Sequence, residues 1–195
     1  MNALMRLMLL MLGVAVALVL GCAPRAQNVK LDPPIQLAPT GVGQGKVVWV
    51  QVADARPRKT LGVVGDPGGR YAHVSVEDDF STTMYQRVSS ALRDLGFVAQ
   101  PTPGPDDRSL RVEVRDIQYQ STKKTVTFDT ELSVAVAALA QNGDEHYDRV
   151  YNAGEKSTSP LMPGPEDNAR AVNRAVGVTL EEMLSDGQLL GLLGK

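Results

Sequence analysis

The chain has 195 residues, of which 22% are charged, and its formal net charge of -2 is close to neutral. It has no basic stripe that would bind nucleic acid and no acidic block typical of a disordered tail. Aromatic residues make up only 5% of the chain, which disfavours sites that stack bases or sugars on rings. The length fits one domain with a substantial core and is short for two.

The amino terminus has the layout of a secretory signal. Arg6 adds a positive charge to a short, otherwise uncharged start, and residues 7–20 are apolar throughout. This apolar run is shorter than the roughly 20 residues that a helix needs to cross a bilayer, so a permanent transmembrane helix is disfavoured.

The apolar run ends in Val19-Leu20-Gly21-Cys22, which holds the single cysteine of the chain. This stretch resembles the lipobox of bacterial lipoproteins. A thiolate is a nucleophile that a diacylglyceryl group can alkylate, and Gly21 leaves the backbone accessible to a peptidase. We predict a cleaved signal peptide over 1–21, recognised through Val19, Leu20 and Gly21, and a covalent lipid on Cys22. A plain secretory signal with an incidental or buried structural cysteine is the alternative.

Residue 23 predicts the destination of the lipidated chain. In Gram-negative lipoproteins, which the lipobox resembles, an aspartate directly after the cysteine retains the protein in the inner membrane. Here the residue is Ala23. We therefore expect a protein anchored in the outer membrane by its acyl chains and facing the periplasm.

Proline and glycine dominate the segment that follows the cysteine. Residues 22–45 contain four prolines and three glycines, which a helix or central strand does not tolerate. We predict a lipidated, extended tether that holds the domain off the membrane, with Ile35 and Leu37 as candidate docking residues. A single periplasmic α+β domain is predicted over 46–187, followed by a short apolar tail over 188–195.

The first half of the predicted domain mixes strands with one clear helix. Residues 46–53 form a strand rich in β-branched side chains. Residues 56–69 are predicted as a loop or irregular hairpin, and 71–76 as a short extended piece. Apolar residues at helical spacing predict a helix over 75–96, capped by Ser75, with Glu77, Asp78 and Asp79 in its first turn and Gly96 at its end.

The second half predicts an antiparallel meander and another helix. Residues 109–120 alternate and then change phase, which indicates a β-bulge near Arg115 and Asp116. Strands over 125–141 and 145–156 flank Asn142-Gly143, a strong hairpin signal. A helix follows over 166–185. Together these elements predict an α+β two-layer sandwich, in which a mainly antiparallel sheet of about four or five strands carries two amphipathic helices on one face.

Several short motifs of the chain resemble one protein family. They are the lipobox, Pro34-Ile35-Gln36-Leu37, Val48-Trp49-Val50-Gln51-Val52, Asp54-Ala55-Arg56-Pro57, Leu61-Gly62, Leu92-Arg93-Asp94-Leu95-Gly96-Phe97, Leu110-Arg111-Val112 and Ile117-Gln118-Tyr119. In combination they resemble the YajG family of Gram-negative lipoproteins. That family has no assigned biochemical activity, so the resemblance implies a location and a fold rather than a mechanism.

Two interpretations of the Asp54-Ala55-Arg56-Pro57 stretch remain open. Asp54 and Arg56 form a binding turn in the first. In the second, Asp54 caps backbone amides at a strand end and pairs with Arg56.

Other motifs match catalytic or binding sites only in part. The run 41–46 lacks the Ser or Thr that follows the lysine of a phosphate-binding loop, and 121–124 lacks the helix of a Ser-x-x-Lys motif. His73 and His146 are far apart and have no cysteine or paired carboxylate beside them. We predict no catalytic residue, no metal and no cofactor other than the lipid on Cys22.

These observations favour a non-enzymatic lipoprotein. Its domain is predicted to bind or scaffold an envelope protein or cell-wall component, with the membrane contacted through the lipid anchor and no role for nucleic acid. The alternative is a carrier that holds a small lipid or glycan between the sheet and the helices. An enzyme is a third hypothesis, which requires a concave site that joins carboxylates such as Asp116, Asp129 and Glu131 with shifted pKa values.

Overall fold

The computed structural model describes residues 25–66, 69–77, 80–104 and 108–195. Val19, Leu20, Gly21 and Cys22 lie outside the described residues, as do Asp78 and Asp79. The strands are β1 (Gln27–Val29), β2 (Val47–Asp54), β3 (Thr60–Gly65), β4 (Tyr71–Val76), β5 (Val98–Gln100), β6 (Ser109–Lys123), β7 (Phe128–Asn142) and β8 (Glu145–Ser159). The helices are α1 (Phe80–Asp94), α2 (Pro165–Leu184) and α3 (Gly187–Gly194).

All eight strands join one mixed sheet, which curls into a half-barrel. Strand β6 lies at its centre and pairs along one edge with the antiparallel β7, which in turn pairs with β8. On its other edge, β6 pairs first with β2 and then with β3, and both pairings are parallel. Strand β5 extends the sheet beyond β2, while β4 and β1 extend it beyond β3.

The predicted bulge in β6 is confirmed. The register with β7 shifts between Val114 and Asp116. The shift separates the part of β6 that pairs with β2, Ser109 to Val114, from the part that pairs with β3, Tyr119 to Thr122. A bulge increases local twist, and this one lies where β6 changes partners along its edge.

The three helices pack against the sheet and enclose one apolar core. Helix α1 packs on β2 and β5, α2 on β1, β7 and β8, and α3 on β7 and β8. The predicted apolar face of α1 is confirmed, because Phe80, Met84, Val88 and Leu92 are buried. Gly96 ends this helix region in the left-handed conformation, with φ of +89°.

The predicted fold class is wrong in several respects. The sheet has eight strands rather than four or five, it is mixed rather than mainly antiparallel, and three helices pack on it rather than two. Helix α1 begins at Phe80, because residues 71–76, including the predicted cap Ser75, form β4.

The loop or irregular hairpin predicted over 56–69 is a hairpin, because β3 pairs with the antiparallel β4 and the register shifts between Thr60 and Gly62. At Gly62, an added Cβ would lie 1.6 Å from the backbone oxygen of Tyr119 in β6. The glycine therefore permits a close approach of two paired strands, although in the sequence it has the appearance of a breaker.

The first described segment of the chain packs on the rest of the domain from Gln27 onwards. Strand β1 pairs with β4, and Val29 and Leu31 are buried. The Asn173 Nδ2 group on α2 donates to the Lys30 carbonyl at 3.0 Å. Gly177 on α2 faces the Pro34 carbonyl, which an added Cβ would approach to 2.3 Å. Residues up to Leu37 therefore pack against the folded domain.

The apolar carboxyl terminus is helical and packed. Helix α3 buries Leu189, Leu190, Leu192 and Leu193. None of the helices in the described ranges combines the length and the apolar character that crossing a membrane requires.

Candidate functional site

Among the described residues, the helices cover one side of the sheet and leave the other side uncovered. Alternation along each strand sends Leu110, Leu132 and Val134 toward the helices and their neighbours in sequence to the opposite side. We call this uncovered side of β2, β3, β6, β7 and β8 the open face. Depressions of about 650 and 400 Å³ lie on it.

The larger depression has a volume of about 650 Å³ and lies over β3, β6, β7 and β8. Lys156 donates to Glu131 at 2.9 Å, and the Gln118 amide donates to Asp116 at 2.6 Å. Cations, carboxylates, amides and hydroxyls are all present. The depression therefore offers hydrogen-bond donors, hydrogen-bond acceptors and charges of both signs. Its polar lining residues are Arg58, Thr60, Asp116, Gln118, Tyr119, Gln120, Glu131, Ser133, Glu155 and Lys156.

The smaller depression, about 400 Å³, lies at the start of β6 and is more apolar. Trp49 and Leu139 contribute its main apolar surface. The Trp49 Nε1 group donates to the Pro101 carbonyl at 3.1 Å, which fixes the orientation of the indole. Polar groups surround this surface: Gln51, Ser109, Arg111, Gln141, His146 and Asp148.

The strip between the depressions holds small side chains and one carboxylate that is paired with arginines. Glu113 pairs with Arg111 at 2.9 Å and with Arg115 at 3.4 Å. Beside it, register places Ala137 opposite Glu113 and Ala135 opposite Asp116. Between its two depressions, the open face therefore has a strip of small residues with charges of both signs around it.

The structure places Asp54 and Arg56 together at the end of β2. The Arg56 Nε and Nη2 groups donate to the Asp54 carboxylate at 2.8 and 2.9 Å, and Lys59 donates to it at 2.7 Å. Arg56 is only 6% exposed, and its guanidinium lies 5.1 Å from the centre of the Phe80 ring.

These contacts decide the charge of Asp54. Partial burial alone would raise the pKa of Asp54, but the hydrogen bonds from Arg56 and Lys59 outweigh it and lower the pKa to about 2. The geometry thus explains both residues as part of a structural turn, and their role in ligand binding stays a prediction.

Sequence reasoning missed a second carboxylate cluster, at Asp186. The Asp186 carboxylate accepts from the Tyr147 hydroxyl at 2.8 Å, the Tyr151 hydroxyl at 2.9 Å and Arg149 at 2.7 Å. As the N-cap of α3, it also accepts from the backbone N–H of Gln188 at 2.8 Å. The one available signal was an aspartate just before Gly187, a pattern typical of a helix start.

The Asp186 cluster joins α3 to β8. Burial alone would raise the pKa of Asp186, but the hydrogen bonds from Tyr147, the Gln188 amide and Tyr151 lower it to about 2. Burial, followed by the hydrogen bonds with Tyr147 and Asp186, raises the pKa of Tyr151. The cluster faces the covered side, so its role is structural.

The acidic residues named for an enzyme are only partly brought together. Asp116 and Glu131 line the larger depression, whereas Asp129 lies outside its lining and accepts from Thr158 at 3.0 Å. In the part of the chain that the structure describes, no three His, Cys, Asp or Glu side chains cluster as a metal site.

The remaining motifs lie in structural positions. The glycine-rich run 41–46 directs the Gly43 and Gly45 amides to the Leu95 and Gly96 carbonyls, at 2.9 and 2.7 Å. Ser121 is buried and accepts from Thr130 at 3.0 Å. His73 lies on β4, and its ring centre is 5.5 Å from that of Tyr71.

Comparisons with known proteins show the fold and the family. A comparison with curated proteins finds no significant match. A crystal structure described as an uncharacterized protein has a TM-score of 0.50 at 15% identity and covers 82% of this chain and 97% of its own. A putative neuraminyllactose-binding hemagglutinin homolog from Helicobacter pylori has a TM-score of 0.50 at 9% identity, with 83% and 96% covered.

At these identities the two solved structures share a fold with this chain and establish no ligand. The family evidence is direct, because a family described as uncharacterized lipoprotein matches residues 33–193, most of the chain. The resemblance of the short sequence motifs is confirmed by this match. The chain therefore belongs to the YajG-type family of uncharacterized lipoproteins.

Proposed function

We propose that the protein is a non-enzymatic lipoprotein of the cell envelope whose open face binds another envelope protein. One observation carries the proposal: three helices cover one side of the sheet and leave the other without cover. Strands β6, β7 and β8 each run for 15 residues, so the uncovered surface is long and continuous.

The size of the open face suits a protein partner. Strands of this length extend about 50 Å, and four neighbouring strands are roughly 19 Å wide. The resulting surface, on the order of 1,000 Å², exceeds the roughly 800 Å² that each partner buries in a standard interface. Small molecules favour mostly apolar sites, whereas many polar side chains line the larger depression, which fits a protein surface better.

The charge of the open face points in the same direction. Arg58 and Lys156 lie near Asp116 and Glu131 in the larger depression, a mixture that complements a partner with charges of both signs. A glycan site would favour several aromatic platforms. The lining of the smaller depression includes Trp49, His146 and Tyr147, and the Tyr147 hydroxyl binds Asp186 on the covered side, so Trp49 is the one large aromatic ring described there that faces outward.

The carrier alternative gains no support from the structure. The space between sheet and helices is filled by apolar side chains, and Leu110, Val136 and Leu180 there are fully buried. Both depressions described above lie on the opposite side of the sheet.

We infer that the anchor is a lipid on Cys22 and that the location is the periplasmic face of the outer membrane. Membership of a lipoprotein family and the Val19-Leu20-Gly21-Cys22 sequence support the lipid, and Ala23 supports the outer membrane. Two or three acyl chains are sufficient for stable anchoring. The intact mass of the purified protein should equal that of a chain that begins at a diacylated Cys22. Cys22→Ser should release the protein from membranes.

Site-specific photocrosslinking in cells tests the partner. A photoreactive residue at Gln118 on the open face should crosslink one envelope protein, while one at the exposed Glu182 on α2 should not. The double substitution Arg58→Glu and Lys156→Glu should remove the crosslink and leave anchoring intact. Equal crosslinking from Gln118 and Glu182, or insensitivity to the charge reversal, would contradict a binding role for the open face. A polysaccharide adduct at Gln118 would favour a glycan instead.

A further inference from the structure

One end of the sheet collects the tips of several strands. Strand register places Tyr71 of β4 beside Gly65 of β3, and Gly65 beside Thr122 of β6. Thr122 lies beside Asp129 of β7, which lies beside Thr158 of β8. These five positions form one row across the sheet, roughly 19 Å wide. We call the residues at and beyond this row the proximal end: Tyr71, the turn 123–127 and the loop 159–164.

The proximal end exposes large apolar side chains. Val126 is 79% exposed and Leu161 is 75% exposed, the highest values among the large apolar residues of the described ranges. Tyr71, at 53%, and Met162, at 46%, belong to the same end. Exposed apolar side chains at loop tips, gathered at one end of a domain, mark a surface that contacts another apolar phase.

Basic side chains accompany the apolar tips. Lys123, the last residue of β6, and Lys124 come shortly before Val126, and both are exposed. The acidic Glu166 and Asp167 at the start of α2 are near the loop 159–164, and both pair with Arg170. The lysines thus remain available to anionic groups outside the protein.

Strand β1 begins near this same end. Strand β1 runs parallel to β4, with Gln27 opposite Val74 and Val29 opposite Val76. Moving backward from Gln27 therefore leads toward the level of Tyr71. Cys22 precedes Gln27 by about five residues, which span at most about 18 Å when fully extended. A lipid on Cys22 keeps the bilayer surface within that distance of Gln27.

We propose that the proximal end lies in the headgroup region of the phospholipid bilayer that holds the acyl chains of Cys22. Val126, Leu161, Met162 and Tyr71 enter the boundary between headgroups and acyl chains, and Lys123 and Lys124 contact anionic headgroups. The inference rests on the proposed lipidation of Cys22. It adds an orientation: the long strands stand on the membrane, and the end of the sheet near Trp49 lies about 40 Å from it, since Trp49 pairs with Ser109 at the far end of β6.

Tryptophan quenching by brominated lipids tests the orientation. The acylated protein is reconstituted into vesicles of phosphatidylethanolamine and phosphatidylglycerol with brominated acyl chains. Trp49, the single native tryptophan, should emit as strongly as in unbrominated vesicles. The added tryptophan in Val126→Trp or Leu161→Trp should be quenched and shifted to the blue. Val98→Trp, another exposed valine, is the matched control: it pairs with Val47 at the far end and should not be quenched.

The two proposals fail differently in this experiment. Absence of the acyl mass, together with protein that does not float with the vesicles, would overturn the lipidation of Cys22. Acylated protein that floats, with the tryptophans at 126 and 161 no more quenched than the one at 98, would overturn the membrane contact of the proximal end. Quenching at 98 equal to that at 126 would also overturn it, because the domain would then have no fixed orientation.

Discussion

The two faces of β7 differ in what they contribute to the protein. On the covered face, Leu132, Val134 and Val136 pack against α2 and the rest of the core and are almost completely buried. On the open face, Ala135 lies beside Asp116 of β6, and Leu139 lies between Arg111 of β6 and Asp148 of β8. The covered face supplies most of the buried apolar contacts of the core, whereas the open face keeps its polar groups toward the solvent.

The largest expected difference between the faces comes from one leucine on each. Leu132→Ala removes buried methyl groups and should lower the free energy of unfolding by about 3 kcal/mol. Leu139→Ala, on the half-buried open side of the same strand, should cost less than about 1 kcal/mol. Urea unfolding measures both. Similar losses would mean that the open face is also covered, for example by a second copy of the chain.

Two ion pairs, one partly buried and one exposed, extend the comparison. Arg56→Ala leaves Asp54 partly buried with Lys59 as its remaining partner, so the cost should be about 2 kcal/mol, below the 3–5 kcal/mol typical of a broken buried pair. Lys156→Ala breaks an ion pair whose side chains are 79% and 63% exposed. Because water screens that pair, the urea midpoint should not change. A midpoint shift as large as that of Arg56→Ala would contradict this assignment.

Two helical glycines test whether the amino-terminal segment belongs to the covered side. Gly177→Ala places a methyl group against the Pro34 carbonyl and should cost about 1.5 kcal/mol. Gly191→Ala on α3 meets no atom within 4 Å and should stabilise the protein by up to about 1 kcal/mol. Thermal unfolding compares them. Stabilisation by both substitutions would show that the segment does not pack on α2 in solution.

The smallest expected effect is pH-dependent and separates two aspartates. The folded-state pKa of Asp186 is about 2, below its ordinary value of 3.8, so its charge stabilises the fold above pH 4 and this contribution is lost as the pH falls toward 2. Asp186→Asn should cost about 1 kcal/mol at pH 7, and the difference from the parent protein should shrink in acid.

The control for Asp186 is Asp148 on the open face. It is exposed, and Asp148→Asn should leave unfolding unchanged at both pH values. An unchanged difference between Asp186→Asn and the parent from pH 7 to pH 2 would show that the Asp186 carboxylate contributes through shape and not through charge.

The sequence indicated local features correctly where one stretch contained the whole signal. The bulge after Val114 changes the alternation within β6 itself, and Asn142-Gly143 forms its turn from its own two residues. Strand β1 gave no such signal, because its partner β4 is distant in the sequence and prolines lie nearby. For β3, the glycines allowed either a loop or a hairpin with β4, and its pairing with the distant β6 had no local signal.

The candidate site shows the same division. The family motifs pointed to Asp54 and Arg56, which the structure shows paired with each other. The Asp186 cluster and the open face combine residues from separate strands and helices, so no local pattern in the sequence predicts them.

Taken alone, the sequence determined the antiparallel meander, the apolar faces of α1 and α2 and the membership of a lipoprotein family, because periodicity and short motifs are local properties. Only the tertiary structure decided that β2 and β3 share one edge of β6, that β1 joins the sheet, and that one side of the sheet stays open. The physical reason is that strand pairing and burial depend on which distant segments meet. Hydrogen bonds between strands join backbone groups, so the side chains do not identify the partner strand.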